Sequence, residues 1–109
     1  MIAVRMPRRS KYGAKAVVID GIRFASKKEG KRYAELKLLA KAGEIRVLQI
    51  QPRFTFEVRG VKMFTYIADF SYFRNRKLVI EDVKGVRTPL YKLKKRIVEA
   101  VYGIEITEI

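Results

Sequence analysis

Cysteine and histidine are both absent from this 109-residue chain. Without cysteine there is no disulfide framework and no thiolate metal site, and without histidine the imidazole ligands of zinc enzymes are missing too. The same absences exclude Ser-His-Asp and Cys-His nucleophilic catalysis. No apolar run approaches the roughly 20 residues that a membrane-spanning helix needs. The basic start MIAVRMPRRSKYGAK lacks the apolar stretch and small-residue cleavage site of a secretory leader. The expectation is a soluble, cytoplasmic protein with no membrane partner and no small-molecule cofactor. Acids are scarce as well: 11 Asp and Glu stand against 25 Lys and Arg, a formal charge of +14.

What remains for chemistry is carboxylate, lysine, tyrosine and hydroxyl. Carboxylates favour hard cations that take oxygen ligands and retain waters, so Mg²⁺ is the expected metal, with Mn²⁺ able to substitute. A small domain this basic is expected to be held to a polyanion, and nucleic acid is the leading partner. A basic protein that only coats RNA or DNA is the plainer reading of composition alone.

The length suits one compact domain. Residues 1–15 carry Arg5, Arg8, Arg9, Lys11 and Lys15 with little hydrophobic periodicity and read as a basic arm that touches phosphates. The domain proper spans 16–109. It opens on AVVIDGIRFAS, where Asp20-Gly21 suits the positive φ angles of a tight hairpin turn. Ser26 then caps a helix with Glu29 at the capping-box position and Gly43 at its end. The alternation through 45–58, bent at Pro52, predicts a strand. MFTYIADFSYF (63–73) reads as a central strand and LVIEDVKG as its neighbour. Thr88-Pro89 starts a second helix that closes at Gly103, with an apolar stripe at Leu90, Leu93, Ile97 and Val101. IEITEI ends the chain as a strand. The expected fold is α/β: a small β-hairpin, then a mixed β-sheet flanked by helices.

Acid-x-Lys triplets occur three times, but two of them, Glu29-Gly30-Lys31 and Glu35-Leu36-Lys37, lie on the first helix, where residues two apart point in different directions. Asp82-Val83-Lys84 lies on a strand, where residues two apart share a face. A turn centred on Asn75-Arg76 pairs Phe73 with Leu78 and carries the register to Asp69 opposite Asp82, with Lys84 on the same face. A one-residue slip would pair Asp69 with Glu81 and take Lys84 off that face. Two carboxylates opposed between apolar strands require a cation or a shared proton. A metal held by Asp69 and Asp82 would polarise a phosphodiester and lower the pKa of a bound water, with Lys84 orienting that water or stabilising developing charge. Two roles stand open for Glu29, the cap with Ser26 and a metal or water contact. Glu81 is expected to face the other side and pair with a lysine. On the second helix Lys94 lies at the edge of the apolar stripe. Lys92, Lys95 and Arg96 lie outside it, as a solvated face or a phosphate track.

These residues resemble the PD-(D/E)XK nuclease superfamily, whose core is helix, three strands, helix, strand, with an acid on the second strand and acid-x-Lys on the third. Asp69 and Asp82-Val83-Lys84 match those positions, and Glu29 matches the acid often found on the first helix. The stretches KYGAK, DGIRFASKKEGKRYAELKLL, LQIQPRF, ADF and EDVKGVRTPLYKLKKR look like a family of small phage proteins placed in that superfamily. Archaeal-type Holliday junction resolvases are similar in size, basicity and acid order. Ala68 replaces the proline of the superfamily name, and the third-strand acid is Asp rather than the commoner Glu. The resemblance implies a restriction-endonuclease-like core and an Mg²⁺-dependent endonuclease of a phage or prokaryotic host cell. Its metal site would comprise Asp69, Asp82, Val83 and Glu29, with Lys84 catalytic. DNA contacts would come from the arm and from Lys92, Lys94 and Lys95. The implied working unit is a homodimer on four-way junctions, with Met63, Phe64, Tyr72 and Phe73 as apolar surface. General or nicking activity on other DNA, and a silent DNA-binding module, are the alternatives.

Overall fold

The computed structural model describes residues 15–109. Arg5, Arg8, Arg9 and Lys11 of the expected arm lie outside the described residues, and Lys15 is exposed. The chain forms two compact units that meet between Glu35 and Leu36.

In the first unit, β1 (Val17–Ile19) and β2 (Ile22–Phe24) make the expected antiparallel hairpin. Asp20 and Gly21 both adopt positive φ, 54° and 75°, as a two-residue turn of matching twist requires. Helix α1 (Lys27–Lys41) follows. Ser26 Oγ accepts the Glu29 N–H at 3.1 Å, and Glu29 Oε1 accepts the Ala25 N–H at 3.0 Å, so the cap is reciprocal. Phe24 and Tyr33 pack with ring centroids 4.9 Å apart, and the Tyr33 hydroxyl donates to Asp20 Oδ2 at 2.8 Å. Gly30 is the point of closest approach: a Cβ there would stand 2.6 Å from Val17 Cγ2 and 3.1 Å from Ile19 Cδ1.

From Leu36 onward α1 belongs to the second unit. It ends in a Schellman motif, the Gly43 N–H donating to the Ala40 carbonyl and the Glu44 N–H to the Leu39 carbonyl. Strands β3 (Arg46–Ile50), β4 (Arg53–Val58), β5 (Val61–Ile67), β6 (Phe70–Arg74) and β7 (Lys77–Asp82) precede helix α2 (Pro89–Tyr102) and strand β8 (Ile106–Glu108). The main sheet runs β3-β6-β7-β8 and is mixed, since β8 joins β7 in parallel while the other pairs are antiparallel. β4 and β5 form a separate two-stranded ribbon. Among the described residues no helix is long and apolar enough to cross a membrane.

Each of the two long strands expected at 45–58 and 63–73 is in fact two, and the breaks face each other. The Gln51 N–H donates to the Asp69 carbonyl at 2.9 Å and the Ala68 N–H to the Pro52 carbonyl at 3.1 Å, so the pairing continues through the interruption. Pro52 has no N–H to give, and Gln51 takes a left-handed φ of 55°, which together turn the ribbon out of the sheet. The side-chain phase changes there as well. Ser71, Ile80 and Ile106 are cross-strand neighbours on one face, and Tyr66 and Ala68 pack with Ile80, Val98 and Ile106. Phe70 and Tyr72, the next even-numbered positions, pair with Glu81 and Val79 on the opposite face.

The expected stripe of α2 is also corrected. Leu90, Leu93 and Val101 are exposed and Ile97 is half-buried, whereas Val98 is buried and Tyr91 and Ile104 pack around the same cluster. The inward face runs Tyr91, Lys94–Lys95, Val98, because a phenol ring and lysine stems cover aromatic surface while their polar ends reach partners. Lys94 Nζ lies 5.3 Å from the centroid of the Phe64 ring.

Candidate active site

The β6–β7 turn at Asn75 and Arg76, both at positive φ, sets the register that pairs Phe73 with Leu78 and Phe70 with Glu81. The regular ladder stops there. Asp69 occupies the bend one step beyond, its N–H donating to the Glu81 carbonyl at 3.1 Å. Its Oδ2 accepts the Val83 N–H at 2.6 Å, and its carboxyl raises the pKa of Asp82. Asp82 is the last residue of β7 and is almost fully buried. The Tyr66 hydroxyl donates to its Oδ2, and Lys84 Nζ stands 3.5 Å from its Oδ1. Asp69, Asp82 and Lys84 are thus brought together as expected, and Val83 contributes a backbone donor to the same cluster.

Burial pushes the Asp82 carboxyl up to about 7; the Tyr66 hydrogen bond and Lys84 work against this, and the Asp69 carboxyl adds to it. Burial, and then the bond to Asp82, hold the Tyr66 hydroxyl protonated far above its ordinary range. Tyr91 extends the cluster. Its ring stacks on Tyr66 with centroids 6.3 Å apart and lies 4.4 Å beneath Lys84 Nζ. Its hydroxyl donates to Glu108 Oε2 at 2.8 Å, and Arg87 Nε meets Glu108 Oε1 at 2.6 Å. Burial and the Glu108 bond raise the Tyr91 hydroxyl, while Tyr91 and Arg87 hold the Glu108 carboxyl below its usual range.

Two oxygen-donor carboxylates, one of them buried, form a donor set that fits a hard divalent cation, which would relieve the repulsion between them. Among the described residues no three acids or other ligand side chains converge, so a cation here would fill its shell with water and substrate oxygens.

Glu29 takes the first of its two open roles, closing the cap of α1 with its carboxylate. Glu81 lies on the opposite face from Asp82, as expected, and is buried, with the Tyr72 hydroxyl donating to Oε2. Tyr72 is therefore buried rather than available as apolar surface, and Phe64 is half-buried, while Met63 and Phe73 are exposed. Lys95 pairs with Glu99 at 3.1 Å, and Lys92 and Arg96 face solvent.

Tyr66, Tyr91 and Glu108 were missed. Simple alternation from Asp69 sends Tyr66 to the wrong face, and the Leu90–Leu93 stripe hides Tyr91. Glu108 did leave a signal, since it shares the parity of Ile104 and Ile106 and is a carboxylate on an apolar face.

A family model described as a protein of unknown function (DUF1064) matches residues 9–107. The chain belongs to this family. The DUF1064 match takes in both units and every residue of the acid cluster except Glu108. No curated protein and no solved structure matches the chain significantly.

Proposed function

We propose that this DUF1064 chain is a divalent-metal-dependent DNA endonuclease of the PD-(D/E)XK type. The observation that carries the reading is the convergence of Asp69 and Asp82 at the end of an apolar strand, with Asp69 Oδ2 on the Val83 N–H and the Lys84 ammonium 3.5 Å from Asp82. Asp69 and Asp82 would hold the cation. When bound, Mg²⁺ or Mn²⁺ would polarise a phosphodiester and supply a water of lowered pKa. Tyr66 fixes the orientation of Asp82 by donating to one oxygen, which leaves the other directed toward Lys84. The Val83 N–H does the same for Asp69. Lys84 is placed to stabilise negative charge developing on phosphate. Lys92 and Arg96 on α2, together with the basic arm, offer the phosphate contacts that a charge of +14 suits.

The narrower substrate is a four-way junction. Resolving one takes two symmetric cuts and therefore a two-fold dimer, for which the exposed Leu90, Leu93 and Val101 of α2 and Met63 of β5 supply apolar surface. The deciding experiment incubates the protein with Mg²⁺ or with chelator on matched four-way, flap, duplex and single-stranded DNA, and measures its mass in solution. Paired symmetric nicks at the junction by a dimer are expected. Equal cutting of plain duplex would move the reading to a general or nicking nuclease, and binding without any cleavage to a silent DNA-binding module.

A further inference from the structure

Lys84 lies beyond the last residue of β7, in a segment without regular structure that runs to the Thr88 cap of α2. No ladder hydrogen bond fixes its direction, and its side chain has four rotatable bonds. Two contacts converge on its ammonium to replace that missing constraint. The ammonium sits 3.5 Å from Asp82 Oδ1 and 4.4 Å from the Tyr91 ring centroid. The ring is held in turn by its own hydroxyl on Glu108, 2.8 Å away, and by stacking on Tyr66. Glu108 is the cross-strand neighbour of Asp82 in the parallel β7–β8 pair, and its second oxygen takes Arg87. The Thr88 side chain accepts the Tyr91 N–H at 3.1 Å, so the residue that carries the ring is also the one the helix cap locks.

We infer that Tyr91 is a positioning residue: its ring carries the Lys84 ammonium toward the acid pair, and Glu108, clamped by Arg87, carries Tyr91. This rests on the endonuclease reading, in which Lys84 stabilises charge on phosphate. A ring face is suited to the task because it attracts a cation without neutralising it, leaving the ammonium able to act on an anionic group. A second carboxylate at that place would instead compete with phosphate for the charge. Glu108 is kept from doing so because both its oxygens are engaged, by Tyr91 and by Arg87.

The test combines nuclear magnetic resonance with kinetics on Tyr91→Phe, Tyr91→Leu, Lys84→Ala and the Tyr91→Leu/Lys84→Ala pair. A proton over a ring face is shifted upfield, so the Lys84 ε-methylene resonances are expected upfield in the wild type, less so in Tyr91→Phe, which keeps the ring but loses its hold on Glu108, and at ordinary lysine positions in Tyr91→Leu. Cleavage with Mg²⁺ should fall in Tyr91→Leu by as much as in Lys84→Ala, on the order of 10²-fold. The double variant should be no slower than Lys84→Ala alone, and Tyr91→Phe should fall between the wild type and Tyr91→Leu, because it keeps the ring and loses the Glu108 bond. Should Tyr91→Leu fail to fold, Glu108→Gln provides the second variant, with a reduced upfield shift and a slower rate that vanishes as a difference in the Lys84→Ala background. Ordinary Lys84 resonances in the wild type, or losses that add in the double variant, would overturn the inference. A wild type that folds, shows the upfield shift and cuts no DNA would instead remove the endonuclease reading and leave the Tyr91–Lys84 placement standing.

Discussion

Tyr66 and Asp82 are joined hydroxyl to carboxylate across the bend where the β4–β5 ribbon leaves the main sheet. That bond favours the ionised carboxylate, in opposition to burial and to Asp69. Tyr66→Phe should destabilise the protein by about 1–3 kcal/mol, since a buried acceptor loses its donor. The loss should be larger at pH 8, where Asp82 is charged, than at pH 5. Urea denaturation at both values checks this, and an equal loss at the two would count against the assignment.

Asp82 also contributes to the pH dependence of the metal-free protein. Its folded pKa of about 7 stands above the ordinary 3.8, so the native state binds its proton more tightly than the unfolded chain. The resulting stability is fully present below about pH 4 and is lost as the pH rises through 7, with a slope of at most about 1.4 kcal/mol per decade. Asp82→Asn should flatten that slope. Added Mg²⁺ should raise the melting temperature more at pH 8 than at pH 5, because cation and proton compete for the same pair. Calorimetry across pH 4–8 with and without Mg²⁺ would decide it.

Asp69→Asn and Asp82→Asn are expected to abolish cleavage while leaving DNA binding intact or tighter, since each removes a negative charge facing phosphate. Lys84→Ala should slow cleavage without changing the Mg²⁺ midpoint as strongly. Gel-shift and nicking assays on the same junction separate the two effects, and near-normal cleavage by either Asn variant would refute the site.

Gly30→Ala tests the first unit. Alanine gains about 1 kcal/mol in helix propensity, but its Cβ would stand 2.6 Å from Val17, a stiff β-branched side chain. Overpacking of this kind costs about 1–3 kcal/mol, so a net loss of stability is expected, with the largest amide shifts in β1. A stabilised variant would show that the hairpin yields.

Much of this architecture could be read from the residues. Asp20-Gly21, Ser26 with Glu29, Gly43, Thr88-Pro89 and Gly103 marked turns and caps because each solves a local backbone problem that few residue types can solve. The Asn75-Arg76 turn and the convergence of Asp69, Asp82 and Lys84 followed from counting across one hairpin. What escaped was non-local. An unbroken apolar alternation through 63–73 conceals the exit of the ribbon, because hydrogen bonds from Gln51 to Asp69 and from Ala68 to Pro52, remote in sequence, define it. The inward face of α2 escaped because Tyr91 and the lysine stems outcompete Leu90 and Leu93 through polar ends that find partners only in the folded chain.

The bend at Asp69 works like a change of reading frame in the pleat. Upstream of it, even positions look toward α2; downstream, they look away, and Asp69 is the position at which the two frames are spliced. Residues on either side can be exchanged within their own frame at modest cost. Removing or adding one residue between Ala68 and Phe70, however, would send either Tyr66 or Asp69 to the wrong side of the sheet and break its contact with Asp82. The Arg59-Gly60 turn at the ribbon's far end carries no such splice, so pairs of residues inserted there would lengthen the ribbon and leave the frame intact. Length variation is therefore expected to be tolerated at that tip and refused at the bend.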